Sequence, residues 1–464
     1  MSNRLGSLFT SRVVRFARDR SLPRLVILWG LCALFIAATL AIGEAGTTGV
    51  GQNFRGSGPA SLDIIARTTS APQEAPTGFD NASIDPNDTT HSADMTTFEE
   101  VDTIQKGLGP VYNAQSCREC HQSPTTGGIS QVTELRVGHV DNSGRFTNPN
   151  VMIGNGTVTI PNRSLINDRG ICPSGTVTDK EVQELVPDHM NVRTLRTSLN
   201  TLGDGFIESV SSSTLMEIAD KQCRRSEGQI CGQVIFVPVG EAPGQTRVAR
   251  FGWKNQHASL LSFSADAYLN EIGITNRLQP QDVTTLCKTT TDPEDTVDPT
   301  DNLSDIDRFA RFIRFSKAPA RDVNLANTLD AQAGAQIFER LGCGTCHVSS
   351  IVTAPPGSVI NGGQFTVPDS LGNKIIHPYS DFLLHDVGTG DGIVQNGGPS
   401  TANKMRTPPL WGVRLRSRLL HDGRALTFTE AILHHSDEAS HVVANFRNLS
   451  DQERQQLLSF LKSL

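Results

Sequence analysis

Two short segments of this sequence could fix a metal-bearing group covalently: Cys117-Arg118-Glu119-Cys120-His121 and Cys343-Gly344-Thr345-Cys346-His347. In each, two thiols stand one helical turn apart and an imidazole follows the second. That arrangement suits haem, because the thiols can form thioethers with the two vinyl groups while the next residue presents its imidazole to the iron. A zinc ribbon and a redox cysteine pair are the alternatives. Zinc ribbons set their two pairs about 15–20 residues apart, whereas these pairs lie in different halves of the chain. A redox pair has no need of the histidine, and with 12 His among 464 residues chance rarely places one behind both pairs. The residues predict a dihaem c-type cytochrome, with Cys117, Cys120, Cys343 and Cys346 as attachment points and His121 and His347 as iron ligands.

Elements must position these motifs. A helix is predicted over about Ala331–Leu341, running straight into the second pair. Ser450-Asp451-Gln452-Glu453 has the form of a capping box, and Leu457, Leu461 and Leu464 follow on one helical face. Helical patterning begins at Phe98 and returns at Asp305–Phe315. Between them, residues 122–250 mix short β-branched runs with turn residues, which predicts loops and short hairpins inserted into a mainly helical domain. Residues 288–303 predict an exposed loop. The segment 46–96, rich in Ser, Thr, Pro, Asp, Asn and Gly, predicts a flexible linker. The division that results is 1–45, an export segment; 46–96, a linker; 97–322, an N-terminal haem domain with insertions; and 323–464, a C-terminal haem domain.

Compartment follows from the N-terminus. Arg4, Arg12, Arg15, Arg18, Arg20 and Arg24 precede an uncharged run from Leu25 to Gly43. That is the pattern of an export signal, and the run is close to the roughly 20 residues that cross a bilayer. A cleaved signal peptide and a retained transmembrane anchor both remain open. Either places the rest of the chain in the periplasm, where haem attachment and disulfides are both at home. Cys172, Cys223, Cys231 and Cys287 allow three pairings; Cys223 with Cys231 would close a short loop and leave Cys172 with Cys287. The formal net charge of −7 gives no basic excess to neutralise phosphates, which excludes a general nucleic-acid binder.

Longer segments resemble a family. Gly107-Leu108-Gly109-Pro110-Val111-Tyr112-Asn113, Arg250-Phe251-Gly252-Trp253-Lys254, Glu271-Ile272-Gly273-Ile274-Thr275, Tyr379–Asp386, Arg406-Thr407-Pro408-Pro409-Leu410-Trp411-Gly412 and Leu420-His421-Asp422-Gly423-Arg424-Ala425 are similar to segments of dihaem oxidoreductases, some named as thiol oxidoreductases, within the bacterial dihaem cytochrome c peroxidase superfamily. The resemblance runs from about Phe98 to the C-terminus. The fold it implies is mainly α, with two cytochrome c-like haem domains packed together.

The resemblance also implies roles. His121 would hold the reactive iron and His347 the electron-accepting one. Glu271 would move a proton during peroxide cleavage, and Trp253 would relay electrons between the haems. A solvated glutamate and a core tryptophan are the plain readings of the same residues. His435, in Ala431-Ile432-Leu433-His434-His435, would be the sixth ligand of the C-terminal iron, with Met405 as the alternative and a surface histidine pair as the plain reading. His139 would be the corresponding ligand at the N-terminal iron, or an ordinary strand histidine. His385 and His421 are expected beside the haem rather than on it. Calcium between the domains would be in keeping with the family, though no ligands for it can be named.

Three functions compete. The first is a periplasmic, peroxidase-like dihaem oxidoreductase that takes electrons from a small donor protein or a quinone-linked cytochrome and reduces peroxide or another oxidant. The second is a non-enzymatic electron carrier with both irons six-coordinate. The third oxidises an organic substrate or a thiol, for which Cys223 beside Arg224 and Arg225 is the sole candidate. Residues 140–240 have no clear counterpart in the shorter peroxidases and are where substrate specificity could reside, whereas Gly388–Asn403 carries nothing resembling a substrate pocket.

Overall fold

Helices form where the capping and periodicity predict them. Ser304 caps Asp305–Phe315 and Ser450 caps Asp451–Ser463, each through a reciprocal box with the third helical residue. The helix ahead of the second cysteine pair spans Leu329–Leu341 and stops at Gly342, whose φ of +94° closes the turn without the strain a side chain would bring. Its face of Ile337, Phe338 and Leu341 buries against Leu457, Phe460 and Leu461 of the final helix, and these residues form one apolar core. A larger core gathers Phe98 of the helix His91–Glu99, Phe251, Tyr268, and Phe309 and Phe312 of the helix Asp305–Phe315. The structure, a computed structural model, describes residues 63–464, all within one compact unit.

The expectation of a mainly α fold built from two cytochrome c-like domains is corrected by the structure. Helix makes up 30% and strand 16% of the described residues, and the strands are spread over many small sheets. The reason lies in the connecting stretches. The 41 Gly and 24 Pro of the chain interrupt helical runs. Backbone groups there find partners in two- and three-residue ladders, which leave almost no apolar periodicity to read. The largest sheet centres on Thr133–Val140, which pairs antiparallel with Phe146–Thr147, Leu165–Ile166 and Val192–Thr197.

Composition alone reads residues 46–96 as a linker, yet the described part of it, 63–96, is anchored at several points. Gln73 and Glu74 pair in parallel with Lys374 and Ile375, and Asp63 is ion-paired to the buried Arg247 at 2.9 Å. Backbone ladders and buried ion pairs need no hydrophobic pattern. Cys172 is bonded to Cys287 and Cys223 to Cys231. The predicted export run at residues 25–43 lies outside the described residues. Among the described residues, no helix is long and apolar enough to cross a membrane.

Candidate functional site

Each cysteine pair opens onto a cavity. Cys117–Cys120 forms one helical turn, capped by Ser116, whose Oγ accepts the Glu119 amide. His121 follows directly, and its amide donates to Cys117 O at 3.1 Å. Its Nδ1 donates to Gly128 O at 3.3 Å, which leaves Nε2 with a free lone pair. The second pair repeats the plan: the His347 amide donates to Cys343 O at 3.0 Å, and its Nδ1 donates to Tyr379 O at 3.0 Å. Burial pushes both imidazoles down, His347 to about 4, so both stay neutral and able to bind a metal.

The cavity at the C-terminal motif encloses about 210 Å³ and is lined by Cys343, Cys346, His347, Met405, His421 and His435 among mainly apolar neighbours. His435 Nδ1 donates to Ala431 O at 2.8 Å, so its Nε2 is also free. The adjacent His434 is exposed and does not line the cavity. Met405 is buried in the wall. His385 stands 3.9 Å from Cys346 Sγ, between Asp381 at 2.9 Å and Glu438 at 2.7 Å. Burial works against its charge, but the two carboxylates outweigh burial and hold it protonated. A protonated imidazole cannot be a ligand, so His385 is a fixed cation beside the cavity.

The cavity at the N-terminal motif encloses about 200 Å³ and contains polar groups the other lacks: Glu134, Arg136, Arg196 and Glu271. Glu271 sits in the turn Tyr268–Ile272, where its backbone carbonyl accepts the Asn113 and Ala114 amides and its Oε2 accepts Asn113 Nδ2 at 2.7 Å. Gly273 ends that turn at φ +82°, and a Cβ there would meet Gly109 O at 2.8 Å. Burial and the neighbouring Glu134 carboxylate push Glu271 up to about 8, against the opposite pull of Arg136 and Asn113. Glu271 therefore holds a proton at neutral pH and shares it in a hydrogen bond with Glu134. Burial opposes the charge of Glu134 as well, but Arg136 outweighs it through two bonds of 2.8 Å and keeps Glu134 ionised.

Trp253 lines both cavities. Its Nε1 donates to Thr197 O at 2.8 Å, its carbonyl accepts the Arg406 amide at 2.8 Å, and His421 packs edge-on at 6.1 Å. Arg406 also lines both cavities. His139 lines neither; it lies on the strand Thr133–Val140 with its Nδ1 2.8 Å from His189 O. The structure thus brings together Cys117, Cys120, His121, Glu271 and Trp253 in one cavity and Cys343, Cys346, His347, His435 and Trp253 in the other. Glu134, Arg136 and Arg406 escaped the sequence reading. The alternation of Glu134 and Arg136 along one strand, which puts both on one face, was the available signal.

These residues fit haem. All four motif thiols are unpaired and half-buried at the cavity walls, and burial pushes Cys120 and Cys343 up to about 12. Arg406 is a buried guanidinium whose single hydrogen bond to an acceptor runs from Nε to Gly252 O, with no carboxylate within ion-pair distance among the described residues. A buried charge left so is costly, and a carboxylate-bearing group entering either cavity would relieve it. Calcium fits less well. The acidic group Asp282, Asp292 and Glu294 already surrounds the Lys288 ammonium at 2.8, 2.6 and 2.6 Å. Cys223, the candidate for thiol chemistry, is closed in its disulfide.

A family model described as "Di-haem oxidoreductase, putative peroxidase" matches residues 173–464, more than half of the chain. That match begins after the first Cys-x-x-Cys-His. Among solved structures, hydrazine synthase from Kuenenia stuttgartiensis, studied under 20 bar of xenon, is 21% identical over 34% of this chain and 55% of that one, with a TM-score of 0.22. A MauG-like protein associated with microbial copper homeostasis is 22% identical over 34% of this chain and 52% of that one, with a TM-score of 0.23. The chain spans about half the length of each. No curated protein matches the sequence.

Proposed function

The chain belongs to the di-haem oxidoreductase family, and on that premise we propose that it is a periplasmic, peroxidase-like enzyme that moves electrons from its C-terminal site to its N-terminal site. Both haems would be of the c type, held through Cys117 and Cys120 and through Cys343 and Cys346, with His121 and His347 each offering an imidazole to the iron. Bound there, haem supplies one-electron redox chemistry and, at the N-terminal site, an iron position for an oxidant. The observation that carries the reading is the contrast in donor sets. The C-terminal cavity offers a second neutral imidazole, His435; the N-terminal cavity offers instead a protonated carboxyl, Glu271, poised by Glu134 and Arg136.

The chain's own residues then have distinct tasks. His435 would offer a second imidazole to the C-terminal iron and keep substrate out, with Met405 as the alternative in the same wall. Trp253, common to both cavities, would relay electrons through its oxidisable indole. Peroxide reduction consumes protons as well as electrons, and Glu271 is the local donor. Glu271 would give its proton to the leaving oxygen of the peroxide and take the next one from solvent, while Glu134, kept anionic by Arg136, would accept the hydrogen bond that holds that proton in place. Arg406 would pair with propionates. The donor would be a small periplasmic redox protein or a quinone-linked cytochrome, and residues 25–43 would be either a cleaved signal or an anchor in the inner membrane. An electron carrier with two six-coordinate irons would need a second N-terminal ligand, and His139 is not among the cavity residues.

The test begins with the purified holoprotein. A pyridine haemochrome assay should report two haems with thioether-type spectra. Optical and EPR spectra of the oxidised and half-reduced protein should contain a high-spin ferric signal that peroxide removes and that His121→Gly abolishes. Two low-spin haems indifferent to peroxide in both states would overturn the peroxidase reading.

A further inference from the structure

The lysine next to Trp253 has surroundings out of keeping with an ordinary side chain. Lys254 is 1% exposed. Its Nζ donates to Thr401 O at 2.7 Å, Ala402 O at 2.8 Å and Lys404 O at 2.9 Å, and lies 3.0 Å from Asp391 Oδ1. An ammonium has three hydrogens, yet four oxygens crowd this one. Three carbonyl dipoles and a carboxylate converging on a point make a cage for a small cation. Burial pulls Lys254 down to about 8 against the pull of Asp391, so it is charged at neutral pH.

The cage is built by Gly388–Asn403 and the residues just after it, the segment for which the sequence suggested no role. Asp391 Oδ1 also accepts the Ile393 amide, and Gly392 N donates to Ala402 O, which folds the segment on itself. Gly390 packs so closely that a Cβ would meet Asn403 O at 2.2 Å. Through Asp391 Oδ2 the cage grips Arg196, at 2.9 and 2.7 Å, and Arg196 lines the N-terminal cavity. Just past Lys404, Arg406 binds Trp253 O through its amide and Gly252 O through its Nε. The segment 391–404 therefore closes on one positive charge, one residue from the aromatic ring common to both cavities, and Asp391 ties Arg196 to it.

We propose that Lys254 is a tethered cation, a positioning residue that holds Trp253 between the two sites by filling a four-oxygen cage. Emptied of its side chain, the cage would accept a free monovalent cation of similar size, potassium or ammonium. The positioning role rests on the relay reading of Trp253 given above. The cation role does not.

The experiment uses the full holoprotein as wild type, Lys254→Ala, Lys254→Met and Trp253→Phe. Each is measured in choline, potassium or ammonium chloride at equal ionic strength, for its thermal midpoint and for the rate of electron passage from the reduced C-terminal site. In choline, Lys254→Ala should pass electrons about tenfold more slowly with both haem spectra unchanged, the scale expected of a small misplacement. Potassium or ammonium should restore much of the rate and of the midpoint. Lys254→Met, which plugs the cage without a charge, should gain nothing from either salt, and it serves alone if the alanine variant does not fold. Passage at the wild-type rate in choline, or a loss that no cation repairs, would overturn the inference. Should Trp253→Phe pass electrons normally, the relay reading fails, while cation-dependent recovery of the Lys254→Ala midpoint would still support the cage.

Discussion

The two cavities share one five-residue motif and differ in everything set around it. At His347 the surroundings are mainly apolar and supply further imidazoles, of which His435, like His347, has its Nδ1 fixed by a backbone carbonyl. At His121 the cavity supplies four carboxyls, three guanidiniums and no second imidazole. An attachment motif fixes where a haem sits; its chemistry is set by groups that fold in from elsewhere. On the function proposed above, a cavity in which His435 can fill the second iron position would suit electron storage, and one with a held proton would suit reaction with an oxidant.

The sharpest way to break this contrast is Glu271→Gln, which keeps the Asn113 contact but gives up the acid. Peroxide turnover should fall by roughly 10²–10⁴-fold, the range general acid–base catalysis supplies, while the C-terminal spectrum stays as it was. Stopped-flow mixing with peroxide measures this, and near-normal turnover would leave the N-terminal carboxyl without a role.

The next effect should appear at the other cavity. His435→Met exchanges the second imidazole for a thioether and should raise the C-terminal midpoint potential by on the order of 100 mV, with the N-terminal potential unmoved. A redox titration followed optically decides the matter. An unchanged potential would transfer the ligand role to Met405. A smaller effect is expected of Trp253→Phe: electron passage slowed by about tenfold, both spectra retained. If passage is unaffected, the two sites communicate by another route.

The extent to which this was legible depends on how local each feature is. The motifs, the capping box at Ser450 and the helix Asp305–Phe315 are written in consecutive residues, and the structure forms them. The pairing of Cys223 with Cys231 and Cys172 with Cys287 was one of three open choices. Illegible was whatever depends on strands from separate stretches. Glu134 faces Arg196 only because the register of two antiparallel strands sets them opposite, and it meets Glu271 only because the turn Tyr268–Ile272 packs beside that sheet. The low helix content was hidden for the same reason: two-residue ladders carry no period.

The finest distinction between the cavities is the pH at which Glu271 gives up its proton. Its value near 8 lies above the ordinary carboxyl range because of burial first and the Glu134 charge second. The donor form therefore predominates below about 8, and turnover should fall as pH rises through that value. Stability follows the same sign: the folded state holds this proton more tightly than the unfolded one, so the contribution is full below the ordinary carboxyl range and is lost as pH rises through about 8. Glu134→Gln removes the repelling carboxylate and frees Arg136 to act on Glu271 alone, and both changes favour ionisation. The alkaline limb of the pH–rate profile should then move downward by about one unit, with the C-terminal potential unchanged. A limb that stayed in place would assign it to a group other than Glu271, and one that moved upward would mean Glu134 had been stabilising the ionised form.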